Sequence, residues 1–224
     1  MSTRLAIFDC DGTLVDSQRR IIAAVDASWR AQGLPRPDDE AIRRTVGLAL
    51  PHALQALAPA ASPALLALLV DGFRTAFLEF SHDAAFEEPL YPGVIAALED
   101  LAAADIRLGV ATGKGRRGLA KTLERHGLKG HFAILKTADD GPSKPSPHIL
   151  NDAIAEMAAS PETTVVLGDT AYDMAMARSA GAHALGVAWG YHPPEELTLH
   201  GAKAVLHRYD EVAPAVLTLI GKAR

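Results

Sequence analysis

Short apolar runs that break off at an acid or a hydroxyl, each followed by helical spacing, recur along this 224-residue chain. Leu5-Ala-Ile-Phe8 runs into Asp9-Cys-Asp-Gly12, Ile106–Ala111 into Thr112-Gly113, and Thr163–Leu167 into Gly168-Asp169. Runs with little polar alternation suit strands buried on both faces. Further strands are expected at Phe132–Leu135, His183–Val187 and 203–206. Helices are expected over 94–104, 115–126, after Ser146-Pro147, over 171–180 and over 211–220. Strand–helix alternation of this kind predicts an α/β fold: a parallel sheet with helices on both faces.

The stretch 16–87 breaks the alternation. Ile21, Val25 and Trp29 are four apart, and Gly33 is a stop. Ser62-Pro63 reads as an N-cap with proline in the first turn. After it Leu66, Leu69, Val70, Phe73, Phe77 and Phe80 form one apolar stripe, expected to pack in a core or a dimer face. No convincing strand occurs there. The expected organisation is therefore a core made of residues 1–15 and 88–224, interrupted by an all-helical domain over 16–87.

Composition excludes several classes. Lys and Arg number 22 against 27 Asp and Glu, a net charge of −5, which gives no basic surplus for a nucleic acid. Cys10 is the single cysteine, so neither an internal disulfide nor a cysteine metal cluster is expected. It is expected to pack as a small hydrophobe. Between Arg44 and Asp71 only His52 can titrate, yet Pro51, Pro59 and Pro63 divide the stretch; a membrane span is not expected. The start offers too few apolar residues for a signal-peptide core, and a cytoplasmic protein is expected.

In an open α/β sheet, ligands sit beyond the carboxyl ends of the strands. That edge gathers Asp9 and Asp11, Thr112 and Gly113, Lys144 from a later loop, and Asp169 with Asp173. Clustered carboxylates repel unless a cation sits among them, and oxygen ligands alone point to a hard ion, Mg²⁺ or in its place Mn²⁺. Thr112 and Lys144 are suited to hold a phosphate. The chemistry suggested is phosphoryl transfer: Asp9 attacks phosphorus, and Asp11 protonates the leaving oxygen and then activates water. Asp169 binds the metal, and Asp173 reaches the same site or supports it.

Four segments carry a resemblance: Phe8-Asp-Cys-Asp-Gly-Thr-Leu-Val-Asp-Ser17, Ala111-Thr-Gly113, Ser143-Lys-Pro-Ser-Pro147 and Gly168-Asp-Thr-Ala-Tyr-Asp173. In order and spacing the chain resembles the haloacid dehalogenase-like hydrolases, in their phosphoglycolate phosphatase-like branch. The resemblance implies a Rossmann-like core with a mobile helical cap, and a Mg²⁺-dependent phosphatase working through an aspartyl phosphate. By motif position Asp9 is the nucleophile and a metal ligand. Asp11 is the acid/base, with its neighbouring backbone carbonyl on the metal. Thr112, Gly113 and Lys144 hold the substrate phosphate, and Asp169 and Asp173 form and support the metal site. One departure stands out: many relatives have Asn where Gly113 stands, so a side-chain contact is missing.

The expected substrate is a small phosphorylated metabolite, phosphoglycolate first. A phosphosugar mutase, or a phosphatase for sugar phosphates or nucleotides, is the alternative on the same core, and a non-catalytic binding protein the more distant one. Dehalogenases lack the acid at Asp11, and the insert has no lysine for phosphonatase chemistry. Arg43 or Arg44 is a candidate for a substrate carboxylate, although solvated helix charges are the plainer expectation for both. Lys114, Arg116 and Arg117 either add positive field or stand exposed on a helix. His192 follows a strand end and is a candidate for the site mouth, with a plain loop residue the plainer expectation. A monomer or homodimer is expected.

Overall fold

The computed structural model describes residues 3–221. Six strands, β1 (Thr3–Phe8), β2 (Arg107–Ala111), β3 (Ile134–Lys136), β4 (Ala159–Gly168), β5 (His183–Val187) and β6 (Ala204–Leu206), form one sheet. Its order is β3-β2-β1-β4-β5-β6 and every neighbouring pair is parallel. The chain winds outward first to one side of β1 and then to the other, so the crevice for a ligand lies where β1 meets its two neighbours.

Strand β1 shows why an unbroken apolar run is needed. Ala6 and Phe8 pack into one apolar cluster with Val165 and Leu167. Leu5 and Ile7, pointing the other way, join a second cluster with Val166. The first cluster is closed by α5 (Val94–Ala103), α6 (Arg116–Arg125) and α10 (Val212–Ile220), the second by α7 (His148–Glu156), α8 (Ala171–Ser179) and α9 (Pro194–His200). A side-chain period of two thus feeds two cores, one per face. Cys10 is fully buried in the first of them, beside Phe8 and Leu14.

Between β1 and α5 the chain forms α1 (Gln18–Ala31), α2 (Asp39–Thr45), α3 (Leu50–Leu57) and α4 (Pro63–Glu79). These have an apolar cluster of their own, built on Val25, Trp29, Ile42, Leu54, Leu69 and Val70. Ser62 caps α4, its side chain accepting from Leu65 N at 3.2 Å, with Pro63 in the first turn. The chain returns to the sheet layers at Tyr91-Pro-Gly93, where Gly93 sits at φ 94°. No helix among the described residues is long and apolar enough to cross a membrane.

Two elements depart from the sequence-based expectation. β4 starts at Ala159, four residues before the expected Thr163, because Ala159 pairs with Thr3 across a register shift. Helix α9 was not expected. Pro194 stands in the first turn, where proline is favoured, and Leu197 is fully buried against the second cluster, so packing holds a helix of only seven residues.

Candidate active site

Each strand at the centre of the sheet delivers one chemical group to the same edge. Asp9 directly follows β1 and extends its ladder, Asp9 N donating to Leu167 O at 2.9 Å. Thr112 follows β2 and Asp169 follows β4. Asp9, Thr112, Lys144, Asp169 and Asp173 are all buried. Carboxylate oxygens of Asp9, Asp169 and Asp173 lie within 4.8 Å of one another.

Lys144 is the counter-charge. Its Nζ is 2.8 Å from Asp9 Oδ1 and 2.6 Å from Asp173 Oδ1, with no solvent contact. Burial opposes its charge, but Asp173 and Asp9 outweigh burial and hold it protonated well above the usual lysine range. Asp173 divides its oxygens. Oδ1 takes Lys144, while Oδ2 accepts from Thr170 N at 3.1 Å and Thr170 Oγ1 at 2.6 Å. Thr170 Oγ1 accepts from Asp173 N at 3.4 Å. This reciprocal capping box starts α8.

Asp169 is gripped from all sides. Thr13 Oγ1 donates to Oδ1 at 2.8 Å and Tyr191 N donates to Oδ2 at 2.9 Å. A Cβ on Gly12 would lie 2.2 Å from Asp169 Oδ2, and one on Gly190 would lie 2.1 Å from the Asp169 Cβ. Gly12 also has φ +86°, so glycine is required there twice, for space and for the turn.

Three buried carboxylates against one buried ammonium leave a formal charge of −2. The consequence shows in the acids. Burial, more than the neighbouring Asp173, pushes Asp9 up to about 7 despite Lys144. Burial first, then Asp9 and Asp173, drives Asp169 well above the carboxylate range. Asp9 Oδ2 is buried without a hydrogen-bond partner. A divalent cation fits this set in charge and, through oxygen ligands alone, in type.

Asp11 faces elsewhere. Its Oδ1 accepts from Ser17 Oγ at 2.6 Å and from Lys114 Nζ at 2.7 Å, and its carboxylate stands outside the three-acid cluster. It lines a cleft of about 830 Å³ shared with Asp9, Thr112, Gly113 and the helical segment. Gly113 touches that segment directly. A Cβ there would come within 2.5 Å of both Gly47 O and Leu48 O, so the missing side chain makes room for the loop after α2.

Lys114 and His192 depart from the plainer expectation, whereas Arg43, Arg44 and Arg116 meet it. Lys114 is neither exposed nor a remote source of field. The residue is half-buried, with the side chain 8% exposed, and it pairs with Asp11 and, at 3.4 Å, with Glu88. Glu88 is itself buried and pairs with Arg20 at 2.7 Å and Arg125 at 3.6 Å. Sequence reasoning missed Arg20 and Glu88, whose only signal is a lone charge at the edge of an apolar pattern. Arg43 pairs with Glu40, and Arg44 with Glu196 at 2.5 Å; neither lines the cleft. Arg116 is exposed and pairs with Asp140. His192 is not a plain loop residue. It is buried, and its Nδ1 accepts from Ala171 N at 3.3 Å. Burial lowers its pKa.

Residues 6–187 match the family model described as haloacid dehalogenase-like hydrolase. A probable phosphatase, IndB, from Dickeya dadantii is 33% identical over 225 residues, covering 96% of this chain and 94% of the relative. A phosphoglycolate phosphatase from Vibrio cholerae is 30% identical over 204 residues, covering 88% and 89%. The crystal structure of a predicted phosphatase from Clostridium acetobutylicum shares the fold, with a TM-score of 0.86 at 24% identity, covering 98% of this chain and all of that one.

Proposed function

The chain belongs to the haloacid dehalogenase-like hydrolase family, and from that premise we propose that it is a Mg²⁺-dependent phosphatase acting on a small phosphorylated metabolite through an aspartyl phosphate. The observation that carries the proposal is the buried set of Asp9, Asp169, Asp173 and Lys144, with its formal charge of −2, at the edge where Thr112 and the cleft also lie.

Asp9, Asp169 and Asp173 are the groups to hold the cation, directly or through its water shell. When bound, the cation neutralises the acids and draws charge from the transferring phosphoryl group. Lys144 and Thr112 hold phosphate oxygens, and Lys144 orients Asp9 and offsets part of the burial that opposes its charge. An Asp9 carboxylate oxygen bonds to phosphorus as the ester bond breaks. Asp11 gives its proton to the leaving alkoxide, then takes one from the water that cleaves the aspartyl phosphate. Ser17 and Lys114 fix the Asp11 carboxylate between those two steps. Residues 16–87 act as the cap that covers the cleft and excludes bulk water. Phosphoglycolate is the leading substrate, supported by the likeness to the Vibrio cholerae phosphatase.

Phosphate release from phosphoglycolate, hexose and pentose phosphates, nucleotides and pyrophosphate tests this, with Mg²⁺ and with EDTA. Release that stops in EDTA and in Asp9→Asn is the expected result. Release that persists in Asp9→Asn refutes the covalent route, and no release from any ester refutes the phosphatase.

A further inference from the structure

Glu88 stands where the insert rejoins the core, at the second of the two chain crossings. The crossings are bonded to each other: Asp16 N donates to Pro89 O at 2.9 Å, and Tyr91 N to Leu14 O at 3.1 Å. The Glu88 side chain is 2% exposed, yet it belongs to no step of the mechanism above. A buried carboxylate is costly unless cations and donors surround it. Three cations do so. Arg20 comes from α1 at 2.7 Å, Lys114 from the loop after β2 at 3.4 Å, and Arg125 from α6 at 3.6 Å. The Glu88 backbone is tied as well, its carbonyl accepting from His126 Nε2 at 2.8 Å.

Lys114 links Glu88 to the chemistry. Its backbone is fixed on both sides: its N–H donates to Thr112 Oγ1 at 3.2 Å, and its carbonyl accepts from Ala138 N at 3.2 Å. Its Nζ is divided between Glu88 and Asp11, the latter at 2.7 Å. Asp11 in turn gives one oxygen, Oδ1, to Lys114 and Ser17. Its Oδ2 has no hydrogen-bond partner among the described residues, and is the oxygen left to serve the leaving group and the water. A carboxylate anchored at one oxygen turns about that anchor. The place of Lys114 Nζ therefore sets where Asp11 Oδ2 stands.

We infer that Glu88 is a positioning residue for the acid/base: it holds Lys114 Nζ so that Asp11 is steadied through Oδ1 while Oδ2 stays free for the leaving oxygen. This rests on the phosphatase reading above. Glu88 touches no reacting atom and acts through Lys114. Because Arg20 lies on the insert, the insert's first helix and the acid are fixed through one side chain. Without Glu88, Lys114 follows Asp11 alone, and the acid is drawn off its line to the leaving oxygen. A displacement of about 1 Å is enough to cost about a hundredfold in rate.

The leaving group separates positioning from mere support. An alkoxide needs the proton that Asp11 gives, whereas 2,4-dinitrophenolate departs without one. kcat/KM ends at the step that phosphorylates Asp9 and frees the leaving group, so hydrolysis of the intermediate does not enter it. The test pairs 2,4-dinitrophenyl phosphate with whichever of phosphoglycolate, the sugar phosphates and the nucleotides the wild type cleaves fastest with Mg²⁺. Glu88→Gln is expected to lower kcat/KM for the alkyl ester by about ten- to a hundredfold, and for the dinitrophenyl ester by less than about threefold. Arg20→Met combined with Glu88→Gln leaves no buried guanidinium unpaired, and is expected to show the same split. Equal losses on both esters in a folded variant, or no loss on either, overturn the proposal alone. A crystal structure of the wild type with Mg²⁺ and orthovanadate needs no variant. Lys114 Nζ is expected within hydrogen-bond reach of both Glu88 and Asp11, with Asp11 Oδ2 facing the apical oxygen; Lys114 parted from Glu88 overturns the proposal. No release from any ester by the wild type, the dinitrophenyl ester included, overturns the phosphatase reading and this inference with it.

Discussion

Replacing Gly113 with alanine adds one methyl group where the loop after α2 meets the carboxyl edge of the sheet. The new Cβ would stand 2.5 Å from Gly47 O, 2.5 Å from Leu48 O and 2.8 Å from Leu48 C. Ordinary contact begins at 3.4 Å, so the loop must recede by about 0.9 Å. The backbone at Gly113 is not left-handed, so the effect is one of space alone. Overpacking of this kind costs about 1–3 kcal/mol. At 1.36 kcal/mol per tenfold, the population with the loop seated on Gly113 falls by about 5- to 150-fold. We expect kcat/KM for phosphate release to fall by that factor. The melting temperature should change little, because the three apolar clusters are untouched. Gly130→Ala is the control, since nothing lies within 4 Å of its added Cβ. Wild-type kcat/KM in Gly113→Ala refutes the reasoning; so does a loss of activity matched by an equal loss of folding stability.

Other outcomes follow from the same site. Lys144→Met removes the only cation among the described residues that touches Asp9 and Asp173; breaking a buried ion pair from one side costs about 3–5 kcal/mol, and chemical denaturation in EDTA should show a loss of that size together with loss of phosphate release. Asp9 titrates near 7 when folded and near 4 when unfolded, so the folded state binds the extra proton between those values. Stability of the EDTA-treated protein is therefore highest below about pH 4 as far as this group is concerned, and it declines as pH rises through 7; a melting temperature that rises across that window refutes the assignment. Adding Mg²⁺ at neutral pH should reverse the decline, by about 2.7 kcal/mol at a hundred times its Kd, and calorimetry with and without the ion checks it. Gly12→Ala places a methyl 2.2 Å from Asp169 Oδ2 at φ +86°, and should abolish Mg²⁺ stabilisation measured by the same melts.

How far the sequence reveals this molecule depends on the range of each interaction. Leu5–Phe8 and Thr164–Leu167 announce their strands because an apolar run answers to burial on both faces, whatever its partner. The acids at their ends were legible for the same reason: strand ends converge whichever strands pair. Ala159 joins β4 only because Thr3 pairs with it, a partner that no local pattern announces. Arg20, Glu88 and Lys114 form one buried network across 94 positions of chain; each alone looks like a solvated charge. His192 is defined by the backbone N–H of Ala171, 21 residues away. Pairing at that distance leaves no periodic trace.

A carboxylate has two oxygens, and Asp173 commits one to starting α8 and the other to Lys144. Architecture and chemistry therefore share a single side chain. An amide in its place keeps one acceptor, so it can serve the cap or the lysine but not both as a charged partner. A substitution that retunes Lys144 without loosening the start of α8 must then be made at another of its neighbours.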